Sequence, residues 1–161
     1  MSAVIEDVFP VIRQATNDDI GRLVTYAKDF WDQTEYSDAV EYDLETMIEN
    51  TLSIIENDVL LYAEHQGNIV GLIAIMISPF PMNKHHLSAC EWGFYVSDEY
   101  RKSGLGIRLI EEAEVFLKEK NVTFFTLISL ANLRPEAVGR FYEKLGYKLT
   151  ESDYMKVLGG K

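Results

Sequence analysis

The stretch Tyr95-Val96-Ser97-Asp98-Glu99-Tyr100-Arg101-Lys102-Ser103-Gly104-Leu105-Gly106 decides how the rest of the chain is read. A β-rich run ends at Val96, a short charged loop follows, and glycines open an amphipathic helix. The first N–H groups of a helix have no partner in their own ladder and bind phosphate oxygens directly. Glycine lets a ligand approach the backbone closely. Arg101 and Lys102 add positive charge beside this anion hole. The functional reading is a pyrophosphate cradle, and the bland alternative is a glycine-opened helix with surface charges.

Other glycine-rich phosphate loops fit less well. A P-loop needs Gly-x-x-x-x-Gly-Lys-Ser/Thr, a string the chain lacks. The dinucleotide fingerprint needs a third glycine where this chain has Leu109. It also expects an early first strand and alternating parallel strands.

Working outward, Phe9 to Ala15 reads as a strand. Thr16 and Asn17 are good helix caps, with Asp18 and Asp19 suited to a first turn. Ile20, Leu23, Val24, Ala27 and Trp31 then recur at helical spacing. After an acidic and aromatic stretch, Asp32 to Asp43, a second helix places Leu44, Met47, Ile48, Thr51, Leu52 and Ile55 on one face. Val59 to Glu64 and Ile69 to Ile77 read as strands joined by a tight Gln66-Gly67-Asn68 turn. Pro79, Pro81 and Asn83 punctuate a loop, and Ser88 to Val96 is the next strand. Ser103 to Lys120 is a helix and Val122 to Leu130 a strand. Pro135 opens the last helix, Gly146 closes it at C′, and Tyr147 to Leu158 gives one or two final strands.

The order is β-α-α-β-β-β-α-β-α-β. The hairpin requires antiparallel pairing, and the strand–helix–strand unit from Ser88 to Leu130 requires one parallel pair. The expectation is a mixed, mostly antiparallel α/β (α+β) sheet in one domain spanning residues 1–161. No repeat, low-complexity tract or linker divides the chain.

The chain has 161 residues, with 26 Asp and Glu against 15 Lys and Arg, a net charge of -11 at pH 7. All of that excess lies before residue 61: 14 acids and 3 bases there, and balanced charge beyond. A protein without a basic face is a poor generic nucleic-acid binder. The longest apolar run, Leu72 to Ile77, is far too short to span a bilayer, which needs roughly 20 residues. Met1 to Pro10 lacks the basic start and long apolar core of a secretory signal. The single cysteine, Cys90, forms no internal disulfide, so a reducing, cytoplasmic setting is expected. His85 and His86 are adjacent and His65 is remote, a poor metal-ligand pattern. No metal is expected.

Three separated motifs converge on one family. They are the opening Val11-Ile12-Arg13-Gln14-Ala15-Thr16-Asn17-Asp18-Asp19-Ile20, the Arg101-x-x-Gly104-x-Gly106 turn after a Tyr-Val strand end, and Arg140-Phe141-Tyr142-Glu143-Lys144-Leu145-Gly146-Tyr147. Together they resemble the GCN5-related N-acetyltransferase (GNAT) superfamily, over nearly the whole chain. The resemblance implies helices on both faces of the sheet and a splayed parallel strand pair that admits a thioester. It implies direct transfer from acetyl-CoA to a primary amine, with Arg101, Lys102, Ser103, Gly104, Leu105 and Gly106 on the pyrophosphate and Tyr95 and Val96 pairing with pantetheine. Small members are often dimers, so homodimer and monomer both stay open.

Amine acetylation needs a base for the acceptor ammonium and a donor for the leaving thiolate. By resemblance Glu91 is the candidate base; the alternative is a solvent-facing strand carboxylate. Glu91 and Val96 are five apart, so a regular strand turns them to opposite faces. A β-bulge, which the resemblance implies here, would bring them to one face. Tyr142 is the candidate acid by resemblance; the alternative is a core aromatic on a face shared with Val138 and Leu145. The family commonly has Asn and Ala where this chain has Pro135 and Val138. Asn132 is the candidate replacement for that Asn on the cofactor, or a helix cap.

By resemblance, the first two helices overhang the acceptor. Here that region carries Asp29, Asp32, Glu35, Asp38, Glu41 and Asp43 among Phe30, Trp31, Tyr36 and Tyr42. Carboxylates and aromatic faces both attract cations. The expected partner is a cationic small-molecule amine or a basic peptide, and the alternative is a solvated acidic helix face. A non-catalytic acetyl-CoA-binding regulatory or interaction module is the second functional class.

Overall fold

Gln66 and Gly67 both adopt left-handed backbone, with φ of 49° and 77°, and turn the first hairpin back on itself. Two positive φ values in succession match the right-handed twist of the flanking strands. In the computed structural model, which describes residues 8–161, this hairpin organises a five-stranded sheet in the order β1-β2-β3-β4-β5. Residues 1–7, part of the segment read above for a secretory signal, lie outside the described residues.

The strands are β1 (Val11–Gln14), β2 (Val59–His65), β3 (Asn68–Phe80), β4 (Asn83–Val96) and β5 (Val122–Thr126). Neighbours from β1 to β4 pair antiparallel, and β5 joins β4 in parallel. The mixed sheet with one parallel pair matches the sequence expectation. The loop expected from Pro79 to Asn83 is much tighter than the prolines suggest: β3 runs to Phe80 and β4 starts at Asn83. Pro81, which has no N–H for a ladder, sits in the turn itself.

Helices cover both faces. After a 3-10 turn at Asn17–Asp19 come α1 (Ile20–Trp31), a short α2 (Tyr36–Ala39) and α3 (Leu44–Asn57). Asp19 reaches back to accept from the Thr16 amide at 2.9 Å, tying the entry to α1. The α3 cap is Asp43, whose carboxylate accepts from the Thr46 amide. Leu23 of α1 and Ile54 of α3 pack on Leu60, Tyr62, Leu72 and Ala74. The buried stripe of α3 is Thr51 and Ile54, while Leu44 stays 54% exposed.

On the other face α4 (Leu105–Glu119) and α5 (Pro135–Lys144) close the larger core. Leu105, Leu109, Ile110, Ala113 and Tyr142 pack on Leu61, Ile73, Ile75 and Ala89. Alternate residues of β3 thus serve opposite cores, the period-2 signature of a sheet covered on both sides. No helix among the described residues is long and apolar enough to cross a membrane.

One expected element is not formed. Tyr147–Leu158 adds no strand to the sheet. The Tyr147 N–H is spent on the Tyr142 carbonyl (3.1 Å) and the Gly146 N–H on Glu143 (3.0 Å), with Gly146 at φ 93°. This double bond pattern caps α5 and removes the donor a strand would start with. Beyond this segment Lys161 contacts α2, its N–H donating to the Ala39 carbonyl (3.0 Å) and its Nζ to that of Ser37 (2.7 Å).

Candidate active site at the splayed strands

The parallel pairing of β4 with β5 ends at Cys90 and Thr126. Beyond it β4 continues to Val96, and Glu91–Val96 has no ladder partner on the β5 side. The two segments share no ladder past this point, and the wedge between them is edged on the β4 side by backbone groups without a sheet partner from β5.

Glu91 stands at the apex of this wedge. Opposite β3, Ala74 pairs with Gly93 but Ile75 pairs with Glu91, so Trp92 is an extra residue in β4. This bulge turns Glu91 to the Ile75 face, the same face that carries Val96. Glu91 is 6% exposed and its Oε2 accepts from the Ile128 N–H at 3.0 Å. Burial pushes its carboxyl up to about 7, against the opposing pull of that backbone bond.

Tyr142 arrives from α5 on the same side. Its hydroxyl donates to the Ile128 carbonyl at 2.9 Å. It is 8% exposed, and burial together with the Glu91 charge raises its pKa, so the phenol keeps its proton. Both sequence-selected residues therefore converge on one backbone residue, Ile128. Ile128 itself carries no sequence signal, because only its main chain takes part.

The turn into α4 is built by its own hydrogen bonds. Gly104 caps the helix at φ 83°. The Ser103 Oγ donates to the Tyr100 carbonyl at 2.6 Å and accepts from the Leu105 N–H at 3.3 Å. The helical ladder starts with Arg108 N–H on the Gly104 carbonyl, so the amides of Gly106 and Ile107 belong to the open first turn. A Cβ on Gly106 would stand 3.3 Å from the Phe94 ring, so glycine also permits close packing of α4 on β4.

Arg101 is less free than its sequence position suggests. Its guanidinium donates to the Val96 carbonyl at 3.1 Å and pairs with Asp98 at 2.7 Å. It lies 5.7 Å from the centroid of the Tyr95 ring. Arg101 therefore braces the loop, while Lys102 stands exposed beside the turn. Val96 and Leu105 are buried in the main core, which leaves only their main chain open to a bound molecule.

Tyr95 points to the opposite face and lies between Tyr26 and Phe30 of α1, with ring centroids 5.3 and 5.4 Å away. Its hydroxyl accepts from Gln33 Nε2 at 3.0 Å. Asn132, on the loop after β5, donates to the Gln33 carbonyl at 3.0 Å. Gln33, absent from the sequence-selected set, joins both walls of the wedge to the end of α1.

Above that end, Trp31 stacks on Tyr36 (6.4 Å, 22°) and packs against Tyr42 (6.2 Å). The acidic stretch divides by role. Asp32 pairs with Lys28 at 2.7 Å and Asp43 caps α3. Asp29, Glu35, Asp38 and Glu41 are exposed. Cys90 is exposed, but burial of its sulfur and the nearby Glu91 and Asp153 charges raise its thiol pKa, which opposes a nucleophilic role. Among the described residues no group of three or more His, Cys, Asp or Glu side chains could hold a metal ion.

A family model described as an acetyltransferase (GNAT) domain matches residues 56–149. The chain is similar to an uncharacterized N-acetyltransferase of Chlorobaculum tepidum, 26% identical over 111 residues, which are 69% of this chain and 62% of that protein. The chain thus spans less than two thirds of this relative's length. Its fold is similar to that of a transcriptional regulator from Bacillus halodurans (TM-score 0.73, 23% identity, 92% of this chain and 99% of that one). It is equally similar to a predicted acetyltransferase with acetyl-CoA from Clostridium acetobutylicum (TM-score 0.73, 21% identity, 92% and 96% covered).

Proposed function

The chain belongs to the GNAT acetyltransferase family, and from that premise we propose that it moves an acetyl group from acetyl-CoA to a primary amine by direct transfer. The observation that carries the proposal is the convergence of Glu91 and Tyr142 on Ile128 at the apex of the splayed strands. A proton acceptor with a pKa near neutrality and a proton-holding phenol stand on one side of the opening.

The residues present suit the cosubstrate. The open first turn of α4 offers backbone donors for a pyrophosphate, with Gly104 in the left-handed conformation that aims them and Lys102 adding charge. Ser103 and Arg101 hold that loop in shape, and Leu105 and Gly106 supply main chain. The unladdered edge at Tyr95 and Val96 suits an amide-bearing pantetheine chain. Asn132 stands on the facing loop, with its amide nitrogen on Gln33. Acetyl-CoA supplies the acyl group as an activated thioester.

Glu91, directly or through one water, takes the proton of the acceptor ammonium. The freed nitrogen lone pair forms the C–N bond as the C–S bond breaks, and the surplus proton left on that nitrogen passes through water to restore the Tyr142 phenol once its own proton has gone to the sulfur. The Tyr142 hydroxyl turns from the Ile128 carbonyl to donate to the departing sulfur. No covalent enzyme intermediate enters this scheme.

The acceptor we propose is cationic: a polyamine, an aminoglycoside-like molecule or a basic peptide. The exposed carboxylates Asp29, Glu35, Asp38 and Glu41, with the Trp31–Tyr36 stack, support this. The whole chain acts as one catalytic domain in a reducing cytoplasm. Incubating it with acetyl-CoA and each amine class, and following free thiol, tests the activity. Acetyl-CoA binding without thiol release in every case overturns catalysis in favour of a binding module.

A further inference from the structure

We infer that Gln33 is the residue that sets the acceptor overhang in register with both walls of the cofactor cleft, and so a positioning residue for acceptor choice. The inference rests on the acetyl-transfer reading. It is drawn from three hydrogen bonds that meet at this one residue.

The side-chain Nε2 of Gln33 donates to the Asp29 carbonyl at 2.9 Å and to the Tyr95 hydroxyl at 3.0 Å. The first bond caps the end of α1; the second reaches β4, the wall before the cradle. The main-chain carbonyl of Gln33 accepts from Asn132 Nδ2 at 3.0 Å, on the loop that continues the other wall. The bonded pairs are 62 and 99 residues apart in sequence, so no local turn explains them. Gln33 is exposed and makes no contribution to either core.

The consequence follows from what Gln33 carries. It ends the segment that bears Asp29, Phe30 and Trp31 and begins the one that bears Glu35, Tyr36 and Asp38. Fixing its backbone carbonyl and its side chain fixes where those carboxylates and rings stand relative to the splay. Small displacements of a bound substrate cost large factors in rate, so this registry decides which amine presents its nitrogen correctly. Asn132 takes part through its amide nitrogen.

Two measurements test this in the full chain. Hydrogen exchange of residues 33–40 is compared between wild type, Gln33→Ala, Tyr95→Phe and Asn132→Ala. About tenfold faster exchange there in Gln33→Ala and Asn132→Ala, with α4 and the melting temperature unchanged, is the expected result. Thiol release then gives the kinetic split: acceptor KM rises about tenfold in Gln33→Ala while the acetyl-CoA KM and kcat stay within about twofold. Unchanged exchange over residues 33–40 overturns the inference whatever the kinetics. A parallel loss in both KM values and kcat also overturns it, since that marks a general structural role. If wild type releases no thiol with any amine, the acetyl-transfer reading fails, and the exchange comparison alone decides the role of Gln33.

Discussion

Glu91 and Tyr142 hold the same residue from its two ends: the carboxylate of Glu91 accepts from the Ile128 N–H at 3.0 Å, and the Tyr142 hydroxyl donates to the Ile128 carbonyl at 2.9 Å. Ile128 lies just past the last paired residue of β5, Thr126. The two side chains therefore replace the ladder bonds that β4 stops providing. They hold the strand end in place where it leaves the sheet, and they set a carboxyl group and a phenol beside one another there.

The burial of Glu91 links stability to pH. Its folded-state pKa, about 7, lies above the ordinary 4.5. The native state therefore binds the proton more tightly than the unfolded chain. Its contribution is fully present below about pH 4.5 and is lost as pH rises through about 7. The full span is roughly 3 kcal/mol. Denaturation of wild type and Glu91→Gln at pH 5 and pH 8 should show a pH-dependent gap between them of this sign, with the variant relatively more stable at pH 8. A gap that does not change with pH would mean that Glu91 titrates normally.

The same group should govern the acidic limb of catalysis. A base must be ionised to work, so kcat/KM is expected to rise with pH through an apparent pKa near 7. Glu91→Gln should lower kcat/KM by about 10²–10³-fold and remove that limb. Thiol release across pH 5.5–8.5, read in buffers of constant ionic strength, checks both. A variant that keeps the limb assigns it to another group or to the acceptor amine.

Tyr142→Phe removes one hydroxyl and leaves the Ile128 carbonyl without its donor. The bond is part-buried and Ile128 is 44% exposed, so water can replace the lost donor and the cost is about 1 kcal/mol. If the phenol also serves the leaving thiolate, kcat should fall about 10–100-fold while acetyl-CoA affinity stays within about threefold. Calorimetric titration with acetyl-CoA beside steady-state kinetics separates these effects. Full kcat with reduced stability would leave Tyr142 a core aromatic only.

The legibility of this chain in its sequence was uneven for physical reasons. The Gln66–Gly67 turn, Pro135 at the start of α5 and Gly146 at its end were readable because each acts through local backbone geometry. Glu91 and Tyr142 were readable as residue types at family spacings, and the bulge at Trp92 was expected only through the family resemblance. What they bond, the main chain of Ile128, was not, since any side chain could stand there. The final strand is illegible from sequence because alternation in Tyr147–Leu158 says nothing about the Tyr147 N–H, which α5 uses for its cap. Arg101 reads as a free cation from sequence, yet Asp98 three residues earlier partners it.

Gly104 tests the cradle through its backbone. At φ 83° a side chain is strained, so Gly104→Ala should cost about 1–2 kcal/mol. Nothing lies within 4 Å of the added Cβ, so the cost is conformational and not a clash. If the turn aims amides at a pyrophosphate, acetyl-CoA affinity should drop about tenfold or more, and CoA affinity with it. Equal affinity in a folded variant would place the pyrophosphate elsewhere.

The exposed carboxylates test the acceptor. Asp32 already pairs with Lys28, so the informative set is Glu35 and Asp38 with Asp29, whose charges face solvent. A cationic amine drawn by these charges should show an acceptor KM that rises with ionic strength, because exposed charges are screened beyond about 8–10 Å at physiological salt. Asp29→Asn, Glu35→Gln and Asp38→Asn combined should raise KM for a polyamine or an aminoglycoside about 10-fold, flatten its salt dependence and leave a neutral amine nearly unaffected. Asp32→Asn alone should do less, since its field is largely cancelled by the Lys28 ammonium at 2.7 Å. Kinetics that stay the same with cationic acceptors, in the triple variant and across salt, would reduce the acidic region to a solvated surface and separate acceptor choice from charge.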